Sequence, residues 1–277
     1  MTPSQRQAQL QQIRQGPAAE GSKRRATAYT PDAAHPFQAP GPKDQRGPCP
    51  GVNTLANYGY LPRSGIMHWQ DIVQGVKDVF NMANDFGTIL AVYGVLSEGD
   101  VTTGMLSIGG DLPSDLVGGQ KGLQTHGAFE GDASLARLDE YPTGKNWQFD
   151  QNTYNEFKAS NAMYSDGNAT LNSLTQYRYQ RFMESKTNNP QFTFLFPRYL
   201  FAPGEAALVL QMFSNRGDNG DSDYNVSPIV LDSFFVNQTF PPQFVGKQQP
   251  YTFPDVAMDA LSILTPHFVL PGANAGV

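Results

Sequence analysis

The chain has 277 residues, 39% of them apolar and only 16% charged, with a formal net charge of -6. That length supports one substantial core and excludes small stapled scaffolds, and the acidic balance argues against nucleic acid as the main partner. A single cysteine forbids an intrachain disulfide and every multi-cysteine zinc cluster, and no apolar run is long enough for a membrane span.

In chain order, residues 1–50 read as extended or loose apart from a short polar helix over 4–15, with 1–34 an N-terminal extension and 35–277 the main domain. The polar start lacks the apolar stretch of a signal peptide. Pro50 fixes the backbone angle of a helix start that residues 53–57 can continue. From 71 to 96, Ile72, Val73, Val76, Val79, Phe80, Ala83, Phe86, Ile89, Leu90, Tyr93 and Leu96 recur mostly at threes and fours. That periodicity predicts one or two amphipathic helices.

Residues 102–108 read as helical too, and the glycines between Gly109 and Gly127 read as loop. Further helices are expected over 151–163, 170–186 and 203–213, the last opened by Pro203. An exposed loop over 215–225 precedes short helices around Ile229, Phe234 and Phe235 and over 253–264. Alternating strand patterns are scarce, so the expected class is mainly α: a single compact helical domain with many loops.

Three segments carry candidate chemistry. Cys49, between Pro48 and Pro50, is either a buried small hydrophobe or a thiol at the positive end of a helix dipole, where a thiolate is favoured. As a thiolate it would serve as nucleophile, redox thiol or metal ligand. A nucleophile wants a histidine, and His35, His68, His126 and His267 lack a motif of their own. Glu130-Gly131-Asp132-Ala133-Ser134 reads as a capped junction or as hard oxygen ligands for Mg²⁺ or Ca²⁺, with Arg137, Asp139 and Glu140 as ordinary surface charges. Arg198 and Glu205 are conspicuous charges in an apolar stretch. Glu205 reads as a first-turn acid of the Pro203 helix and Arg198 as a snorkelling surface residue, or the two share a cavity as proton shuttle and electrostatic partner.

Pro48-Cys49-Pro50 with residues 51–63, Leu106-Ser107-Ile108-Gly109, the block from His126 to Ser134, and Asn189-Pro190 with Phe192 and Phe194 before Arg198 together resemble the haem-thiolate peroxidase family. That family includes chloroperoxidase and the fungal unspecific peroxygenases, and the Glu-Gly-Asp form with Arg198 and Glu205 is most like the long peroxygenases. The resemblance implies a chloroperoxidase-like helical domain with haem b buried between helices, and a hydrogen-peroxide-dependent peroxygenase acting on apolar small molecules. A haem-thiolate peroxidase or haloperoxidase, or a non-catalytic haem-binding or small-ligand-binding protein, is the alternative.

By the same resemblance Cys49 is the ligand of the haem iron. Glu130, the Gly131 carbonyl and Ser134 hold Mg²⁺, with Ca²⁺ as the other option, and Glu205 is the acid-base residue with Arg198 its partner. Phe129, Met82, Leu200 and Leu208 line the pocket, where Met and Leu give a softer wall than rings. Secretion is implied although no leader is read here, an intracellular place is the alternative, and a monomer or homodimer fits equally.

Overall fold

The computed structural model describes residues 34–113, 122–214, 224–247 and 249–274. The expected helix over 4–15 and most of the 215–225 loop lie outside the described residues. Helix α1 (Pro50–Asn57) begins at the proline, with Cys49 as its extended N-cap. The periodic stretch forms two helices, α2 (Trp69–Phe80) and α3 (Asn84–Glu98). Their division has a local cause. His68 and Asp71 cap the start of α2, the Asp71 carboxylate accepting from the His68 amide at 3.0 Å, and Asn81 ends it in the left-handed region at φ 54°.

Helices α4 (Gln151–Ser165) and α5 (Leu171–Asn188) match the expected positions. The Asp150 carboxylate caps α4, accepting from Thr153 N at 2.7 Å. Thr170 and Ser173 cap α5 reciprocally. Downstream are α6 (Arg198–Phe213), the short α7 (Pro228–Leu231) running into a wide turn over Asp232–Asn237, and α8 (Phe253–Leu264). Two expectations are corrected. Residues 102–108 are a turn followed by strand β2 (Met105–Ser107), paired antiparallel with β1 (Ile66–His68). Helix α6 starts five residues before Pro203, which sits inside it and forfeits one helical hydrogen bond.

The other sheet pairs β3 (Thr193–Phe194) with β4 (Gly272–Ala273). Helix α2 packs on α3, α4 on α5, and α6 on α8, around a main apolar core that includes Leu55, Phe80, Tyr154, Phe157, Leu210 and Phe234. A smaller core of Ala133, Phe182, Phe192, Phe194 and Ala202 sits beneath the start of α6. The result is a compact, mainly helical domain in which no helix of the described residues is long and apolar enough to cross a membrane.

Candidate active site

The cysteine is set by the loop before it. Asn53, one turn into α1, reaches back to Gly47 with both ends of its amide: Gly47 N donates to Oδ1 at 3.1 Å and Nδ2 donates to Gly47 O at 2.8 Å. A Cβ at Gly47 would lie 2.0 Å from the Ile108 carbonyl oxygen, so only glycine lets the loop pass there. Arg46 donates to Asn57 Oδ1 at 2.9 Å and to the Arg63 carbonyl at 2.8 Å. Arg137 donates to the Pro48 carbonyl at 2.8 Å. Cys49 is thereby held at a helix start and packs, half-buried, on the main core.

Burial pushes its thiol above the ordinary value and the Glu205 charge adds to that. The amides of Val52 and Gly51 and the Arg137 cation oppose it without winning. Neither amide makes a regular cap hydrogen bond to the sulfur. The expected low-pKa thiol is therefore corrected: an eight-residue helix offers a partial charge, and desolvation outweighs it. His68 caps α2, while His126 and His267 bond Asp132 and Gln176.

Arg198 and Glu205 are seven residues apart on α6, two turns on one face, and Arg198 Nη1 donates to Glu205 Oε2 at 2.7 Å. The early start of α6 makes this possible, so Glu205 is not a first-turn acid and Arg198 does not snorkel. The guanidinium is 3% exposed. Its Nε donates to the Asp132 carbonyl and its Nη1 also to the Phe129 carbonyl, each at 3.1 Å. Burial works against the Arg198 charge, but Glu205, Glu130 and Asp132 outweigh it and hold its pKa above the usual value.

The 129–134 segment is an irregular loop, not a helix start. Arg198 takes the Phe129 and Asp132 carbonyls, and Gly127 N takes that of Glu130. Arg178 and Arg181 on α5 take those of Ala133 and Ser134. Among the described residues no donor reaches the Gly131 carbonyl. A Cβ at Gly131 would lie 2.9 Å from Arg198 Cδ, so a side chain there and this course of Arg198 exclude one another. Glu130 is 2% exposed and accepts from Arg137 Nη2 at 2.6 Å. Burial raises its pKa against the pull of Arg137.

Arg137 thus joins Glu130 to the cysteine loop. It is no surface charge, nor is Asp139, which accepts from Ala133 N and Ser185 Oγ at 2.9 Å and from Asn189 Nδ2 at 3.0 Å. One carboxyl escaped the sequence reading altogether. Glu98, the last residue of α3, is fully buried. Its Oε1 accepts from Phe129 N at 3.3 Å, and Oε2 has no partner among the described residues. Burial raises its pKa to about 8, the Phe129 amide opposing and the Glu130 and Glu205 charges assisting.

The expected pocket residues lie in different settings. The Phe129 ring meets Tyr93 and Phe201, with all three centroids 4.9 Å apart. Met82 is buried and bridges to Tyr251. Leu208 is half-buried on the main core, and Leu200 is 55% exposed.

A model for the family described as peroxidase, family 2, matches residues 35–249. The chain belongs to that family. It is 32% identical over 254 residues to an aromatic peroxygenase of Cyclocybe aegerita, covering 88% of this chain and 65% of that protein. It is 35% identical over 187 residues to an aromatic peroxygenase of Coprinellus radians, covering 66% of this chain and 71% of the relative. A chloroperoxidase of Leptoxyphium fumago matches at 33% over 104 residues, 38% of this chain and 26% of its own. The chain thus spans just under two thirds of the Cyclocybe relative. Membership of this haem-thiolate family implies a haem cofactor. Among the described residues no group of three His, Cys, Asp or Glu side chains is placed to hold a metal ion.

Proposed function

We propose that this protein is a hydrogen-peroxide-dependent haem-thiolate peroxygenase acting on apolar organic molecules. The observation that carries the reading is the Arg198–Glu205 pair at 2.7 Å on one face of α6, tied through the 129–137 segment to the loop that presents Cys49. Relatives named aromatic peroxygenases support it.

The residues present fit a haem. Arg198 Nη2 and Arg137 Nε are buried donors without partners among the described residues, suited to anionic groups such as propionates or a peroxide oxygen. The Cys49 sulfur sits at the N-cap of α1, where it would ligate the iron. Cys49 would hold the haem iron as its thiolate, giving up its proton on ligation. Haem held by a cysteine sulfur supplies peroxide activation, the thiolate favouring O–O cleavage, and oxygen transfer.

The chain's own work is proton handling and exclusion of water. Glu205 Oε2 takes a proton from hydrogen peroxide and returns it to the oxygen that leaves as water. Arg198, donating to Oε2 at 2.7 Å, aims that carboxylate. Phe129, with Tyr93 and Phe201, forms an aromatic wall beside the pair, against which an apolar substrate would lie; Met82, Leu200 and Leu208 are the further residues proposed to contact it. Glu130, the Gly131 carbonyl and Ser134 are the proposed ligands of Mg²⁺ or Ca²⁺. The Gly131 oxygen is free for this, and Glu130 would exchange Arg137 for the cation.

Isotopically labelled peroxide tests the reading. The label is expected in the alcohol formed from an unactivated hydrocarbon. Turnover that oxidises phenols or halide while leaving the hydrocarbon unlabelled would replace it with a peroxidase or haloperoxidase.

A further inference from the structure

Two backbone carbonyls set how Arg198 meets Glu205. Its Nε donates to that of Asp132 and its Nη1 to that of Phe129, each at 3.1 Å, and the same Nη1 donates to Glu205 Oε2 at 2.7 Å. Asp132 is pinned by its own side chain, whose Oδ2 accepts from Thr193 N at 2.9 Å and whose Oδ1 accepts from Glu140 N at 3.3 Å. Phe129 is pinned from α3. Glu98 Oε1 accepts from Phe129 N at 3.3 Å, so the amide and the carbonyl on either side of one Cα are held by Glu98 and Arg198. Gly94 lies one turn before Glu98 on the same face of α3, and a Cβ there would sit 3.4 Å from Phe129 Cε2 and 2.8 Å from Leu106 Cδ2. Helix α3 therefore comes close to the Phe129 ring at Gly94 and grips its backbone at Glu98.

That grip uses a group that burial disfavours. Glu98 is fully buried, and its Oε2 has no partner among the described residues. The C-terminal end of a helix is also the wrong end for a carboxylate. Stability alone gives no reason for an acid at this position. With its pKa raised by burial to about 8, the carboxyl is uncharged at neutral pH and holds Phe129 without competing with Glu205 for Arg198.

We infer that Glu98 is a positioning residue for proton transfer: it holds Phe129 so that the Phe129 carbonyl keeps Arg198 Nη1 against Glu205. Glu98 itself touches no reactant. The inference rests on the reading of Glu205 as the acid-base residue.

Glu98→Met fills similar space without an acceptor, and Glu98→Gln restores one. In peroxide-dependent turnover at pH 7, counted per bound haem, Glu98→Met should lower kcat by about 10–100-fold with KM for peroxide changed less than about twofold. Glu98→Gln should keep kcat within about threefold of wild type. In a Glu205→Gln background the Met substitution should cost less than about twofold more, because no carboxylate remains to be aimed. Crystal structures give a readout without turnover: Arg198 Nη1 should lie beyond about 3.5 Å from Glu205 Oε2 in Glu98→Met and stay in place in Glu98→Gln. Should Glu98→Met fail to fold, Glu98→Asp, shorter by one bond of about 1.5 Å, withdraws the acceptor and should show the same losses. Full kcat per haem in these variants, a loss that Glu98→Gln shares, or an equal loss in the Glu205→Gln background would overturn the positioning role and leave the peroxygenase reading standing. Full activity in Glu205→Gln alone would instead remove the acid-base reading, and this role with it.

Discussion

Replacing Glu98 by glutamine removes a buried carboxyl while keeping an oxygen to accept from Phe129 N. In the fold this carboxyl titrates near 8, against an ordinary 4.5. Between those values the folded protein holds a proton that the unfolded chain has released. Its contribution is therefore fully present below pH 4.5 and is lost as pH rises through 8. Each pH unit is worth about 1.4 kcal/mol, an upper limit of about 5 kcal/mol over the window. Relaxation around a buried charge reduces the expected loss to about 2–3 kcal/mol. Urea unfolding of both proteins from pH 5 to 9 measures it. Wild type and Glu98→Gln should agree within about 1 kcal/mol at pH 5, and the variant should be more stable by about 2–3 kcal/mol at pH 9. Parallel stability curves across that range would refute the reasoning, because Glu98 would then be charged in the fold or open to water.

Three further outcomes are expected. Glu205→Gln should lower peroxide-dependent kcat by about 10²–10⁴-fold with the haem spectrum unchanged, and full activity would remove its acid-base role. Gly131→Ala places a Cβ 2.9 Å from Arg198 Cδ; it should cost about 1–3 kcal/mol and lower kcat by displacing the partner of Glu205, as a melt and a steady-state assay will show. Asn53→Ala breaks both amide bonds to Gly47 and should cost about 2 kcal/mol in urea unfolding, with weaker haem retention.

Much of this architecture was legible because the signals were local. Pro50 places α1 and Cys49 correctly since a proline at the first helical position needs no partner for its missing donor. The apolar spacing over 71–96 gives both helices, and only the left-handed Asn81 divides them. The misreadings have physical causes as well. Met105-Leu106-Ser107 is too short an apolar run to tell strand from helix, and its pairing with residues 66–68 is a tertiary fact. Pro203 looked like a helix start, which hid the two-turn spacing of Arg198 and Glu205. Arg137, Asp139 and Glu98 carry no mark in the sequence that they are buried, because their partners come from distant segments. The thiol shift went the other way because the dipole of α1 can be read from the chain and the surrounding desolvation cannot.

The account rests on sulfur ligation of haem by Cys49, and the optical spectrum of the reduced carbon monoxide complex tests it most directly. Wild-type protein should show a Soret band moved strongly to the red, and Cys49→His should return it to the position of histidine-ligated haem. A wild-type spectrum without that shift, or one that Cys49→His leaves unaltered, would contradict it.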